Sequence, residues 1–190
     1  MSAWIKMISD ENASKKLSKT LNLVKTPHGT VDNVMRVHSL RPSTMKGHYT
    51  LYKSVLHDSD NSIPTWFQET ISSYVSILNY CEYSFDNHWA NAKYLIDDDK
   101  KSSAIEFALK TDKLCDVFSK KEVALLNYAK KLTLSPNLMT KSDVDNLKDL
   151  GVGDGEILEA NQIICYFNYV NRTINGLGIT TEGDNVGYYK

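Results

Sequence analysis

The stretch PTWFQETISSYVSILNYCEYSFDNHWANAKYLI, residues 64–96, decides the fold. Phe67, Ile71, Tyr74, Val75 and Leu78 recur at the spacing of one apolar helix face, and Pro64 opens that helix. The opposite side carries Glu69 with Ser72, Ser73 and Ser76, small groups that admit another backbone at close range. Around Asn79 the chain turns into a second helix, whose stripe is Cys81, Ser84, Phe85, His88, Ala92 and Leu95. Asp97 to Lys101 then reads as a solvated loop.

The same period extends in both directions. Upstream, Val34, Val37 and His38 mark a short helix, and Arg41-Pro42 a boundary. Met45, Tyr49, Tyr52 and Leu56 stripe the next helix, and residues 57–62 form a polar break. Downstream, Ala104, Phe107, Ala108, Thr111, Leu114, Cys115 and Phe118 make one stripe. Val123, Leu126, Ala129 and Leu132 make another, ending before Ser135-Pro136. Thr140 and Asp143 form a capping box for a short helix that stops at Gly151. A long final helix follows, with Ala160, Ile163, Ile164, Phe167, Val170 and Ile174, and Gly176 and Gly178 end it. These stripes predict an all-α, single compact domain of seven or eight helices over residues 31–179. Residues 1–30 read as an N-terminal arm pinned by Trp4, Ile5, Leu17, Leu21 and Val24, and 180–190 as a tail.

Composition removes several functional classes. The chain has 190 residues, 42% hydrophobic and 24% charged, enough to bury a core without staples. Its 22 basic and 23 acidic residues leave a net charge of −1 and no basic stripe, which disfavours nucleic-acid partners. No apolar run approaches the ~20 residues of a membrane span. Three cysteines are too few for a disulfide scaffold, and the N-terminus lacks an export pattern, so a cytoplasmic setting is expected. The histidines show no ligand spacing, and no dinucleotide or nucleotide glycine fingerprint is present; neither a metal nor a cofactor is expected.

Cys81, Ser84 and His88 share one helical face. Cys81 and Ser84 fall in the first turn of their helix, where unpaired N–H groups and the dipole favour a thiolate. His88 lies one turn beyond Ser84, within reach for proton exchange. Glu69, on the preceding helix, reaches that spot only by tertiary packing. A cysteine and a histidine on an apolar stripe also fit a plain core.

The spacing Glu69-x11-Cys81-x2-Ser84-x3-His88 resembles the signature Glu-x11-Cys-x2-Cys-x3-His of the alkylhydroperoxidase D / carboxymuconolactone decarboxylase family. Residues 37–56 (VHSLRPSTMKGHYTLYKSVL) resemble the preceding helix of its peroxidase-related branch. Residues 125–179, with Phe167-Asn168, Asn171-Arg172 and Leu177-Gly178, resemble that branch's C-terminal half. The resemblance implies an all-helical homo-oligomer, a trimer or a hexamer. It also implies thiol-based peroxide reduction: the second cysteine attacks the peroxide, the first closes a disulfide, and a thiol or lipoylated partner reduces it. Glutamate and histidine manage the protons.

Serine at 84 departs from that pattern. A hydroxyl cannot become a sulfenic acid or a disulfide, so the dithiol cycle is closed. Three readings remain. Cys81 acts alone on a peroxide, and then reacts far faster than Cys115 or Cys165. Alternatively, Glu69 and His88 move protons on a small acid, as in the decarboxylase members, with Ser84 as a hydrogen-bonding group. The third reading is a non-catalytic oligomeric binding protein with a degenerate site.

Cys115 and Cys165 read as packed structural residues. His38 and His48 read as helix-face residues satisfied by hydrogen bonds, and Arg172 as a structural hydrogen-bond donor. Tyr49, Tyr52, Tyr80 and Tyr83 are candidates for an apolar pocket or a subunit interface.

Overall fold

The computed structural model describes residues 2–189. Among them are nine α-helices and no strand: α1 (Lys15–Leu23), α2 (Asn33–Arg36), α3 (Pro42–Leu56), α4 (Thr65–Leu78), α5 (Glu82–Ile96), α6 (Asp99–Thr111), α7 (Lys120–Leu134), α8 (Lys141–Asp149) and α9 (Asp154–Leu177). The all-α reading holds. The helix beyond the expected eight is α1, in the arm: Ser14 caps it by accepting the Leu17 N–H. Leu17, Leu21 and Val24 of this arm pack with Val31, Met35 and Met45 as a second core cluster.

α4 is the axis of the molecule. It packs against α5, α7 and α9, and every residue from Phe67 to Ser76 is buried. Burying its polar side costs little, because the hydroxyls turn back onto their own helix. Ser72, Ser73 and Ser76 donate to the carbonyls of Gln68, Glu69 and Ser72 at 2.7–2.8 Å. Phe67, Ile71, Tyr74 and Val75 join Leu126, Ile163, Ile164 and Phe167 in the main core.

The α4–α5 turn is tight. The Cys81 N–H donates to the Ser76 carbonyl at 2.9 Å and the Tyr80 N–H to the Ile77 carbonyl at 3.0 Å. Tyr80 takes the left-handed conformation, φ 53°. Together these close α4 with a Schellman motif and leave Cys81 as the N-cap of α5. Tyr80 is 91% exposed and lies outside the main core.

The stripe from Ala104 to Phe118 is not one helix. Asp112 adopts φ 60°, α6 ends at Thr111, and Leu114–Asp116 form a separate 3-10 turn. The Tyr74 hydroxyl donates to Asp112 at 2.7 Å and Lys130 pairs with its other oxygen, which fixes the break. Cys115 is consequently exposed rather than packed, and Cys165, on the outer face of α9, is exposed as well. The capping box of α8 is present, the Asp143 carboxylate accepting the Thr140 N–H at 2.7 Å.

Residues 179–189 return across the bundle. Asn33 holds them through the Thr180 and Glu182 carbonyls, both at 3.0 Å. Further on, the Gly187 N–H donates to Asn87 at 3.1 Å and the Tyr188 N–H to Asn91 at 2.6 Å, both on α5. Gly178, at φ 58°, lies directly under the Trp4 indole, where a Cβ would clash.

Candidate active site

α4 and α5 lie side by side, and this brings Glu69 to His88 across 19 residues. Glu69 is 1% exposed. Its Oε2 meets His88 Nδ1 at 2.6 Å, and its Oε1 accepts from Asn91 Nδ2 at 3.2 Å. A carboxylate only accepts, so His88 carries a proton on Nδ1, and Nε2 is the ring nitrogen not bound to Glu69. The His88 ring is fixed from behind by an edge-on contact with Phe167, centroids 4.5 Å apart. Asn91 is absent from the sequence-derived site; it sits at i+3 from His88, which is the one sequence signal that points to it.

His88 and Ser84 open onto a partly open cavity of about 80 Å³. Tyr52, Tyr83, Tyr166 and Tyr188 supply much of its wall, with Met35 and Val170 as apolar patches. Burial, then the Glu69 charge, holds the Tyr52 hydroxyl well above the ordinary tyrosine range and pushes Tyr189 up to about 12. The Tyr52 phenol therefore stays protonated near neutral pH, whereas the Tyr83 hydroxyl already donates to Asp184 at 2.7 Å. Tyr188 comes from the tail, which carries no periodicity to mark it. Lys25, exposed, supplies a cation at the cavity edge.

Cys81 is not part of this wall. As the N-cap it lies outside the regular face of α5, buried to 1% exposure, and lines a separate groove with Ile77, Tyr80 and Phe85. The expected shared face therefore holds for Ser84 and His88 but not for Cys81. The expected low thiol pKa is also corrected. Burial pushes the Cys81 thiol up to about 11, against a smaller opposing pull from the Ser84 backbone N–H. With iodoacetamide at pH 8, Cys115 is expected to label first, Cys165 next and Cys81 last, read by peptide mass spectrometry. Preferential labelling of Cys81 would restore its thiolate.

Asp32 also borders the cavity, its Oδ1 buried without a partner. Burial, then the nearby Asp184 carboxylate, raises its carboxyl to about 7. The sign is unfavourable at neutral pH. Between its ordinary value of 3.8 and about 7 the folded chain holds a proton that the unfolded chain has released, so stability falls as pH rises through that window. Asp32→Asn is therefore expected to raise Tm more at pH 8 than at pH 4. A gain independent of pH would contradict the assignment.

Among the described residues no group of three or more His, Cys, Asp or Glu side chains gathers as metal ligands, and no helix is long and apolar enough to cross a membrane. Arg172 binds the Asn168 carbonyl and side chain at 2.8 and 2.7 Å, a structural role within α9.

No protein-family model and no curated protein matches the chain. Solved structures do. An uncharacterized peroxidase-related protein from Ralstonia eutropha JMP134, described as an alkylhydroperoxidase AhpD core, superposes with a TM-score of 0.82 at 17% identity, over 97% of this chain and 94% of that one. A peroxidase-related protein from Silicibacter sp. TM1040 gives 0.81 at 17% identity, over 96% and 93%. The debrominase Bmp8 gives 0.75 at 18% identity, over 96% and 92%. A cysteine-to-alanine variant of Bmp8 is also known in complex with 2,3,4-tribromopyrrole, at a TM-score of 0.73 and 18% identity, over 96% and 94%. The chain therefore has the alkylhydroperoxidase D-like all-α fold.

Proposed function

We propose that this chain is an acid–base enzyme in which His88, held by Glu69, moves a proton on a small carboxylic acid. The observation that carries the reading is the 2.6 Å Glu69–His88 bond, with His88 on the wall of the cavity and Cys81 outside it. Glu69 positions the imidazole and fixes its tautomer, Nε2 takes or returns the proton, and Ser84 and the Tyr52 hydroxyl hold the substrate oxygens. Lys25 supplies the charge a carboxylate would seek. A cavity of about 80 Å³, smaller than the ~150 Å³ that encloses benzene, favours a small substrate at the reacting end.

The test is deuterium incorporation from D₂O into a panel of short keto and unsaturated acids, followed by NMR. Wild type is expected to exchange at least one of them and His88→Gln none. A wild-type chain that exchanges nothing, yet consumes peroxide with a thiol reductant and loses this on Cys81→Ala, would replace the reading with thiol-based peroxide reduction. The likeness of fold to peroxidase-related proteins supports that second reading; the burial of Cys81 opposes it. Homo-oligomeric assembly as a trimer or hexamer belongs to the same proposal, and sedimentation measures it directly.

A further inference from the structure

Behind Tyr166 runs an unbroken line of hydrogen bonds to the surface. The Tyr166 hydroxyl lies 2.9 Å from His48 Nε2, His48 Nδ1 lies 3.1 Å from His38 Nε2, and His38 Nδ1 lies 3.0 Å from Thr44 Oγ1. The Thr44 hydroxyl in turn donates to the Arg41 carbonyl at 2.9 Å. Tyr166 lines the cavity, His48 is buried, His38 is half-buried and Thr44 is exposed. The line therefore joins the cavity to solvent through α3 and the short turn before it.

Its far end sets its polarity. A carbonyl can only accept, so the Thr44 proton goes to Arg41 and the Thr44 oxygen accepts from His38 Nδ1–H. His38 Nε2 then accepts from His48 Nδ1–H, and His48 Nε2 accepts from the Tyr166 hydroxyl. Both imidazoles must be neutral for this. Burial favours that: it lowers His38 below its ordinary range and, with His38 beside it, brings His48 down to about 3. Tyr169 packs edge-on against His48, centroids 5.6 Å apart.

We propose that Tyr166, His48, His38 and Thr44 form a directional proton relay that carries a proton out of the cavity. This rests on the acid–base reading of the cavity and adds a route to it. As one proton arrives at the Tyr166 oxygen, its hydroxyl proton passes to His48 Nε2, the His48 Nδ1 proton to His38 Nε2, and the His38 Nδ1 proton to Thr44 Oγ1. Thr44, which is exposed, turns its own proton from the Arg41 carbonyl to water and gives it up there. One proton enters and one leaves, and every member is neutral before and after. The line is then reversed and ready to return a proton, as a reaction that removes a proton from one atom and restores it at another requires. The Arg41 carbonyl draws it back to its resting state.

The test needs no substrate. In ¹⁵N-histidine-labelled protein near pH 7, His38 and His48 are each expected as the single Nδ1–H tautomer. Thr44→Val removes the lock and is expected to give mixtures at both rings. Nε2–H tautomers, or a charged ring, would overturn the polarity. Conduction is read from exchange of the Tyr166 hydroxyl proton with solvent, with the Tyr74 hydroxyl as internal control. His38→Gln keeps both hydrogen bonds but cannot pass a proton. It is expected to slow Tyr166 exchange about tenfold or more, leaving only local opening as a route, with Tyr74 unchanged. Unchanged Tyr166 exchange would overturn the relay, because the hydroxyl would then be exchanging through the cavity itself. A chain inert in the deuterium assay but slowed by His38→Gln would refute the catalytic reading alone.

Discussion

Glu69→Gln lowers turnover by about 10²–10⁴-fold while leaving KM within a small factor of wild type; that is the expected result, and it follows from counting protons. Two donors, His88 Nδ1–H and Asn91 Nδ2–H, converge on the Glu69 carboxylate. A glutamine amide offers one oxygen and one NH₂ in its place. If the oxygen faces Asn91, the amide NH₂ faces His88 and drives its proton to Nε2, the atom that must be free to act as base. If the oxygen faces His88, two NH₂ groups oppose each other in a buried site, which costs about 1–3 kcal/mol. The catalytic loss is read by deuterium incorporation, and the tautomer change by ¹⁵N NMR of His88 without any substrate. Retained Nδ1–H with full exchange activity would remove Glu69 from the mechanism.

The second large effect is on stability. Phe167 is fully buried in the main core and contacts Tyr166 and His88 edge-on, at 5.1 and 4.5 Å between centroids. Phe167→Ala is expected to cost about 3–5 kcal/mol from lost transfer energy and the void left behind. For a chain of this size that lowers Tm by about 10 °C. Urea unfolding checks it through a lower midpoint at unchanged slope. A loss under about 1 kcal/mol would mean that α9 collapses onto the gap. His88 also loses its backing, so activity should fall by more than the folded fraction alone explains.

The helices are legible because burial along one face writes itself as a period of 3.6, and α4, α5 and α9 all show it. The Glu69–His88 pairing is legible only through a spacing matched to a known pattern. Nothing local to residue 69 or 88 demands that the two helices pair there. Cys81 misleads for a one-residue reason. Its spacing extends the α5 stripe to position 81, but the left-handed Tyr80 places that residue at the cap, off the regular helical face. The break at Asp112 is hidden for a similar cause: an Asp in a left-handed turn leaves the hydrophobic spacing on either side nearly intact. Tyr188 and the His38–His48 contact depend on where distant segments come to rest, which no periodicity records.

The returning tail contributes Tyr188 to the cavity wall and is itself tied to α5 at Asn87 and Asn91. Occupancy of the cavity and seating of the tail are therefore two sides of one equilibrium. A compound that rests against Tyr188 favours the seated state, and by thermodynamic reciprocity a loosened tail weakens that compound's hold. Protection of residues 179–189 from a protease thus ranks ligands by affinity, whatever reaction the cavity performs.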